Sequence, residues 1–264
     1  MLPQAKHLEF EQDGLWLTVW FNQPEARNPL TQDRVAELID LCAVLRTSDM
    51  RGVTFRGRGG VFCAGGDLKA FRKALGGGAT HEDVVALSLQ AADFFDAVAA
   101  LPQFTVMVVE GAAMAGGFGL ACCGDYVIAA DNARFGLSEV RVGLTPAQIA
   151  PFVVSRLGWR LGRRLMLTGE LFDATSPLAE NMVDQVVPPE EIDAAIAAIR
   201  AQACRNAPGA VAAVKRQMAG LPFQNREDQR QAAASSFADA MLGSEAREGV
   251  QAFIDKRKPA WAEE

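Results

Sequence analysis

An α/β fold, built from repeated ββα or βαβ units, is predicted by three features of this chain. Short runs of β-forming residues alternate with helix-patterned stretches. Glycine-rich turns stand where strands give way to helices. From about Pro189 onward the strands stop and only helical patterns remain.

The elements follow in order. Gly14-Leu-Trp-Leu-Thr-Val-Trp-Phe21 is rich in β-formers and suits a strand. Asn22-Gln-Pro-Glu-Ala-Arg-Asn-Pro29 reads as a turn-rich loop, and Thr31 is placed to cap a helix reaching about Arg46. Val35, Leu38, Ile39, Cys42 and Leu45 share one face of that helix. Gly52-Val-Thr-Phe-Arg56 is a second strand, followed by the turn Phe62-Cys-Ala-Gly-Gly-Asp-Leu68. After the break Gly76-Gly-Gly-Ala79, a long helix is expected from about Glu82 to Ala100, stopped by Pro102. Thr105–Glu110, Tyr126–Ala130 and Asn181–Val187 read as further strands. Glu190–Asn206, Pro208–Met218, Glu227–Leu242 and Ser244–Lys256 are helix-patterned, with Pro208 in a first turn and Ser244 as an N-cap. The expected division is a core over residues 1–190 and a helical oligomerisation part over 191–264.

Composition narrows the function. A chain of 264 residues, half of them apolar and 22% charged, is an ordinary globular protein. Its net charge of −6, with no basic cluster interleaved with aromatics, argues against nucleic acid. No apolar run approaches the ~18 residues of a membrane span, and the N-terminal residues lack a leader pattern, so a cytoplasmic location is expected. The cysteines are Cys42, Cys63, Cys122, Cys123 and Cys204, and the only imidazoles are His7 and His81. An odd count among apolar neighbours points to neither disulfides nor a metal site. Cys63 is better read as buried filler than as a nucleophile, because no histidine partner accompanies it.

The most informative stretch is Ala113-Met-Ala-Gly-Gly-Phe-Gly-Leu-Ala-Cys-Cys-Gly-Asp125. Gly116 and Gly117 sit between a β-rich run and a helix, where bare N–H groups point outward at the positive helix end. Glycines in such turns also serve close packing. The second glycine turn, at Gly65 and Gly66, makes a two-donor oxyanion site the sharper reading.

These motifs together resemble the enoyl-CoA hydratase/isomerase (crotonase) superfamily. The resemblance runs through Pro-Glu-Ala-Arg-Asn28, Phe62–Leu68, Glu110–Gly117 and Ala133-Arg-Phe-Gly-Leu-Ser-Glu-Val-Arg-Val-Gly143, and continues in Leu167–Ala174 and Met182–Val187. It covers nearly the whole chain. It implies a spiral core of ββα turns, a C-terminal helical trimerisation domain, an acyl-CoA thioester substrate and no cofactor beyond the coenzyme A carried by that substrate. The implied assembly is a homotrimer or a dimer of trimers, with neither nucleic acid nor membrane as partner.

Residue by residue, the resemblance puts Gly66 and Gly116 in the oxyanion hole and Glu139 in the place of the second catalytic glutamate. It puts Ala26, Arg27, Ala64, Gly65, Asp67 and Leu68 along the CoA moiety, and lends Phe253 and Lys256 to the CoA site of the same or a neighbouring chain. Two departures stand out. Gly119 occupies the place where typical hydratases carry their first catalytic glutamate, so the two-glutamate clamp on water is absent. Leu144-Thr-Pro-Ala-Gln-Ile-Ala-Pro151 replaces a more common Pro-Gly-x-Gly-Gly, and looks like bacterial methylglutaconyl-CoA or isohexenylglutaconyl-CoA hydratases. Gln148 is the candidate for holding water or a second substrate carboxylate, or is simply a polar residue at a helix start. Hydration of a branched 2-enoyl-CoA, isomerisation of a 3-enoyl-CoA, and CoA binding without catalysis all fit this pattern.

Overall fold

The computed structural model describes residues 2–67, 70–72 and 76–262. Two sheets form its frame. The larger has six strands in the order β1-β2-β3-β4-β6-β9, and the smaller has three in the order β5-β7-β8. The strands are β1 Leu8–Asp13, β2 Trp16–Phe21, β3 Gly52–Gly57, β4 Phe104–Val109, β5 Ala112–Met114, β6 Tyr126–Ala130, β7 Arg134–Gly136, β8 Leu171–Asp173 and β9 Gln185–Val187.

The chain climbs in turns, giving one segment to each sheet per turn. β4 passes straight into β5, and β6 into β7. β3 is followed by Cys63, which makes a single parallel bridge to Ala113 of β5. β2, β3, β4, β6 and β9 are parallel neighbours, while β1 folds back antiparallel on β2. Crossover helices cover the parallel strands, as such strands require. They are α1 Gln32–Leu45, α2 His81–Ala99, α3 Gly116–Cys122 and α4 Ala150–Thr168; α5 Ile192–Ala203 follows the last strand.

The core lies between the layers. Val19, Phe21, Val53, Phe55, Val106 and Val108 are wholly buried. A second aromatic knot, Phe118, Phe135 and Phe172, has ring centroids 5.4 to 6.1 Å apart and packs α3 on the smaller sheet. The face expected on α1 is buried, except that Ile39 is only partly covered, while Leu41 and, unexpectedly, Arg34 are enclosed as well. Thr31 caps α1 by accepting from Arg34 N–H at 3.2 Å.

Helices α6 Pro208–Gly220, α7 Arg226–Leu242 and α8 Ser244–Ile254 complete the C-terminal part. Two local expectations are corrected. Gly243, not Ser244, is the N-cap of α8, because its extended backbone already closes the preceding turn; Ser244 is the first helical residue. The strand expected over Asn181–Val187 shrinks to Gln185–Val187, since Pro177–Asn181 coils into a 3₁₀ turn that buries Ala179.

Candidate active site

Three segments converge where the two sheets begin to diverge: the loop before α1, the loop after β3, and the start of α3. Asn28 fixes the first. Wholly buried, it donates through Nδ2 to the carbonyls of Arg58 and Val61 and accepts through Oδ1 from Gln23 N–H. Arg27 and Asn28 both hold positive φ, which makes the hairpin tight. The second loop is laid against the first: Leu30 N–H donates to Gly65 C=O at 2.8 Å, and Ala64 N–H to Arg27 C=O at 3.0 Å. Gly65 itself has φ +96°, and a β-carbon there would stand 2.8 Å from the Met114 carbonyl, so only glycine fits.

The start of α3 is strained. Ala115 adopts φ 49°, ψ −120°, a region that a side chain disfavours, and its N–H is held by Gly136 C=O at 2.8 Å. This kink turns the following amides out of the strand direction. A β-carbon built on Gly116 would stand 4.0 Å from the Gly66 amide nitrogen, so the two sequence-designated glycines are neighbours. Neither amide donates to another described residue. The two glycines of the pair differ in what they need. A β-carbon on Gly117 would strike Cys63 C=O at 2.4 Å, whereas one on Gly116 meets only side-chain atoms, the nearest being Leu30 Cδ1 at 3.0 Å. Gly117 is there for packing against backbone; at Gly116 only side chains, which can give way, stand close.

Glu139 is brought in by the smaller sheet. Met114 of β5 is in register with Gly136 of β7, and Glu139 opens a 3₁₀ turn three residues beyond. Leu144 N–H donates to Glu139 C=O at 3.0 Å and closes that turn. The carboxyl Oε2 is buried with no hydrogen-bond partner among the described residues. Burial pushes the Glu139 pKa above its ordinary value, outweighing a bond from its own backbone N–H.

The side chains beside the two glycines include an aromatic pair and, further along α2, one polar pair. Phe95 of α2 lies 3.9 Å from the Gly116 β-carbon position and contacts Phe152 of α4, ring centroids 6.0 Å apart. Two helical turns before Phe95, Ser88 accepts a hydrogen bond from Gln148 Nε2 at 3.0 Å. Gly119 lies one turn after Gly116, and its departure from the common pattern has a physical counterpart. A β-carbon at 119 would fall 2.2 Å from Ile149 Cγ2 and 2.5 Å from its Cβ. An isoleucine fills the room a glutamate would need.

The cysteines stay outside the chemistry. Cys63 is wholly buried and burial pushes its thiol up to about 11, so it is no nucleophile. No group of three or more His, Cys, Asp or Glu residues that could hold a metal ion occurs among the described residues. Of the residues assigned to CoA, Ala26, Arg27, Ala64, Gly65 and Asp67 gather on the two joined loops. Leu68 lies outside the described residues. Phe253 is 85% exposed on α8, and Lys256, two residues past the end of that helix, has φ 55°; both are exposed on the C-terminal part. Arg34, Asn28, Ala115, Ser88 and Ile149 escaped the sequence reading. The only signal for them was a charged residue, Arg34, one step from an apolar helix face.

This arrangement is one that known proteins share. The sequence model of the enoyl-CoA hydratase/isomerase family matches residues 12–264. The chain belongs to that family. Its fold is the crotonase fold: an enoyl-CoA hydratase/isomerase from Marinobacter aquaeolei superposes with a TM-score of 0.91 at 36% identity, covering 97% of this chain and 99% of that one. Pseudomonas aeruginosa AtuE gives a TM-score of 0.93 at 38% identity, over 98% and 100% of the two chains. In sequence, a Thermus thermophilus protein named as an enoyl-CoA hydratase is 33% identical over 94% of this chain and 98% of its own length. An Aspergillus fumigatus mevalonyl-coenzyme A hydratase is 30% identical over 93% and 90%.

Proposed function

We propose that this enzyme hydrates a branched 2-enoyl-CoA, with Glu139 as its acid and base. The reading is carried by one observation, the two unused amides of Gly66 and Gly116 set side by side. Two donors aimed at one thioester oxygen stabilise the enolate formed when water adds to C3, and bind the neutral thioester less strongly. Glu139 takes the proton of the attacking water and returns it to C2. Its desolvated carboxyl suits that exchange better than an ordinary surface glutamate. Gln148, whose amide nitrogen is occupied by Ser88, keeps its carbonyl oxygen to hold the water, or turns its amide toward a second carboxylate on the acyl chain. Hydratase names among the relatives support this direction. A glutaconyl-type substrate, as in the bacterial hydratases the 144–151 segment resembles, is the favoured acyl group.

A second reading has its own support. With Ile149 standing where a first glutamate would reach, one base and an oxyanion hole suffice to move a double bond from 3-enoyl to 2-enoyl. Assays on crotonyl-, 3-hexenoyl- and 3-methylglutaconyl-CoA, followed at the enoyl thioester absorbance, decide between them. Loss of absorbance with the first or third substrate is hydration, and its rise with 3-hexenoyl-CoA is isomerisation. Turnover of none of them would leave a CoA-binding protein without catalysis.

The CoA moiety is proposed to lie along Ala26, Arg27, Ala64, Gly65, Asp67 and Leu68. Phe253 and Lys256 would complete its site from α8 of the same or a neighbouring copy. The helices after about residue 190 form the proposed oligomerisation part, in a trimer or a dimer of trimers. No helix among the described residues is long and apolar enough to cross a membrane; a cytoplasmic enzyme is the proposed setting.

A further inference from the structure

Arg34 is the largest wholly buried side chain among the described residues, and the carboxylates that attract it, Glu37 and Glu25, act only from beyond ion-pair distance. Three semi-buried arginines are matched with carboxylates, Arg56 with Glu110 and Asp193, Arg58 with Glu9 and Glu11, and Arg156 with Asp184, while half-buried Arg51 is held by three carbonyls instead. Arg34 forms no ion pair with any described residue. It donates through Nη1 to Pro29 C=O at 2.6 Å and through Nη2 to Gln23 Oε1 at 2.8 Å. Its guanidinium carbon lies 5.6 Å from the centroid of the Phe21 ring, and Nε has no partner. Burying a cation in this way is costly, and neutral acceptors offset only part of the cost.

The position explains why the cost is tolerated. Pro29, which Arg34 grips, precedes Leu30, and Leu30 is bridged to Gly66. On its other side the guanidinium is near enough to Cys63 to oppose the burial that raises that thiol. Cys63 in turn receives Gly65 N–H on its sulfur at 3.5 Å and bridges to Ala113, just ahead of the Gly116 turn. The unpaired charge therefore sits behind the loops that present both amides.

We infer that Arg34 is a positioning residue of the oxyanion hole, holding the Pro29–Leu30 segment and adding a buried positive charge behind it that favours the enolate over the neutral thioester. The inference rests on the oxyanion-hole reading above. A charge with no ion-pair partner in the resting protein favours the enolate as it develops, and so acts on kcat rather than on ground-state binding.

The test uses a cinnamoyl-CoA thioester with a para-dimethylamino donor, whose absorption band moves to longer wavelength as its carbonyl is polarised. Wild-type protein is compared with Arg34→Met, Arg34→Lys and Arg34→Gln, each first checked for fold and assembly. Arg34→Gln keeps an amide donor in the buried site while lacking the charge, and stands in if Arg34→Met fails to fold; Arg34→Lys keeps the charge. The expected result is CoA-ester affinity near wild type, a reduced red shift, and a kcat lower by about 10- to 100-fold in Met and Gln, with Lys closer to wild type. An undiminished red shift and kcat in a folded Arg34→Gln protein would overturn the inference while leaving the oxyanion hole in place. No red shift in the wild type itself would overturn the oxyanion-hole reading and this inference with it.

Discussion

At Glu139, what matters is an oxygen without a partner. A buried carboxyl whose Oε2 makes no hydrogen bond within the described residues is unsatisfied in the resting protein and free for a substrate water. Glu139→Gln keeps the shape and removes the base, so turnover is expected to fall by about 10²–10⁴-fold, with CoA-ester affinity near normal. Because burial raises this pKa, the acid limb of the kcat profile lies above the ordinary glutamate range: activity is lost as pH falls through the raised value. Stability moves the other way. A carboxyl whose folded pKa is raised favours the folded state when protonated, and that contribution disappears as pH rises through the folded value. At neutral pH, Glu139→Gln should therefore melt no lower than wild type, and any advantage should vanish in acid; a melting series across pH checks this. The glycine pair gives a matched contrast. Gly116→Pro removes an N–H at a first helical position, where proline is tolerated, and should lose most of its kcat in a folded protein. Gly117→Ala keeps every N–H but drives a methyl into Cys63 C=O; it should lower stability by about 1–3 kcal/mol, measured by denaturant melts.

At the scale of elements, the first turn of α3 and the entry to α4 were fitted to each other. Gly119 and Ile149 share one volume, so restoring a glutamate at 119 alone should destabilise the protein. Gly119→Glu combined with Ile149→Ala makes the room, and is expected to recover stability and raise hydration of crotonyl-CoA relative to the single change. Equal or lower hydration by a folded double variant would mean that Glu139 and its surroundings already hold the water fully. The elements themselves were largely legible. α1 followed from its hydrophobic period and the capping Thr31, and α2 from the glycine break before it and Pro102 after it, because those signals are local. β1 was not legible: Leu8-Glu-Phe-Glu-Gln-Asp13 is mostly polar, and it is a strand only because β2 lies beside it. The site was readable where it consisted of glycine turns and a motif glutamate. Arg34, Ile149 and Ser88 were not, because each acquires its role from a neighbour remote in sequence.

For the whole molecule, the C-terminal helices pose the question of assembly. α6 and α7 bury no residue fully, and Phe237, Leu242 and Phe253 are more than two-thirds exposed. Helices that leave large apolar side chains uncovered call for a partner. Sedimentation is expected to give a trimer or a dimer of trimers, and a 28.3 kDa species at micromolar concentration would count against this.

Those same helices are nonetheless fastened to the core at its base. Lys215 of α6 reaches the Asp125 carboxylate at 2.5 Å, and the same oxygen takes Thr105 N–H and Oγ1–H. Arg51, just ahead of β3, clasps the carbonyls of Cys204, Asn206 and Trp261. The sequence changes character near residue 190, yet the seam is not a place to cut. A protein ended at Asn206 would leave Asp125 without its ammonium and Arg51 without its Trp261 carbonyl, at the points where β6 and β3 begin. Residues 208–262 are thus a keystone rather than a module: they cannot be exchanged for those of a relative unless Lys215 and the backbone course that presents the carbonyl at 261 come with them.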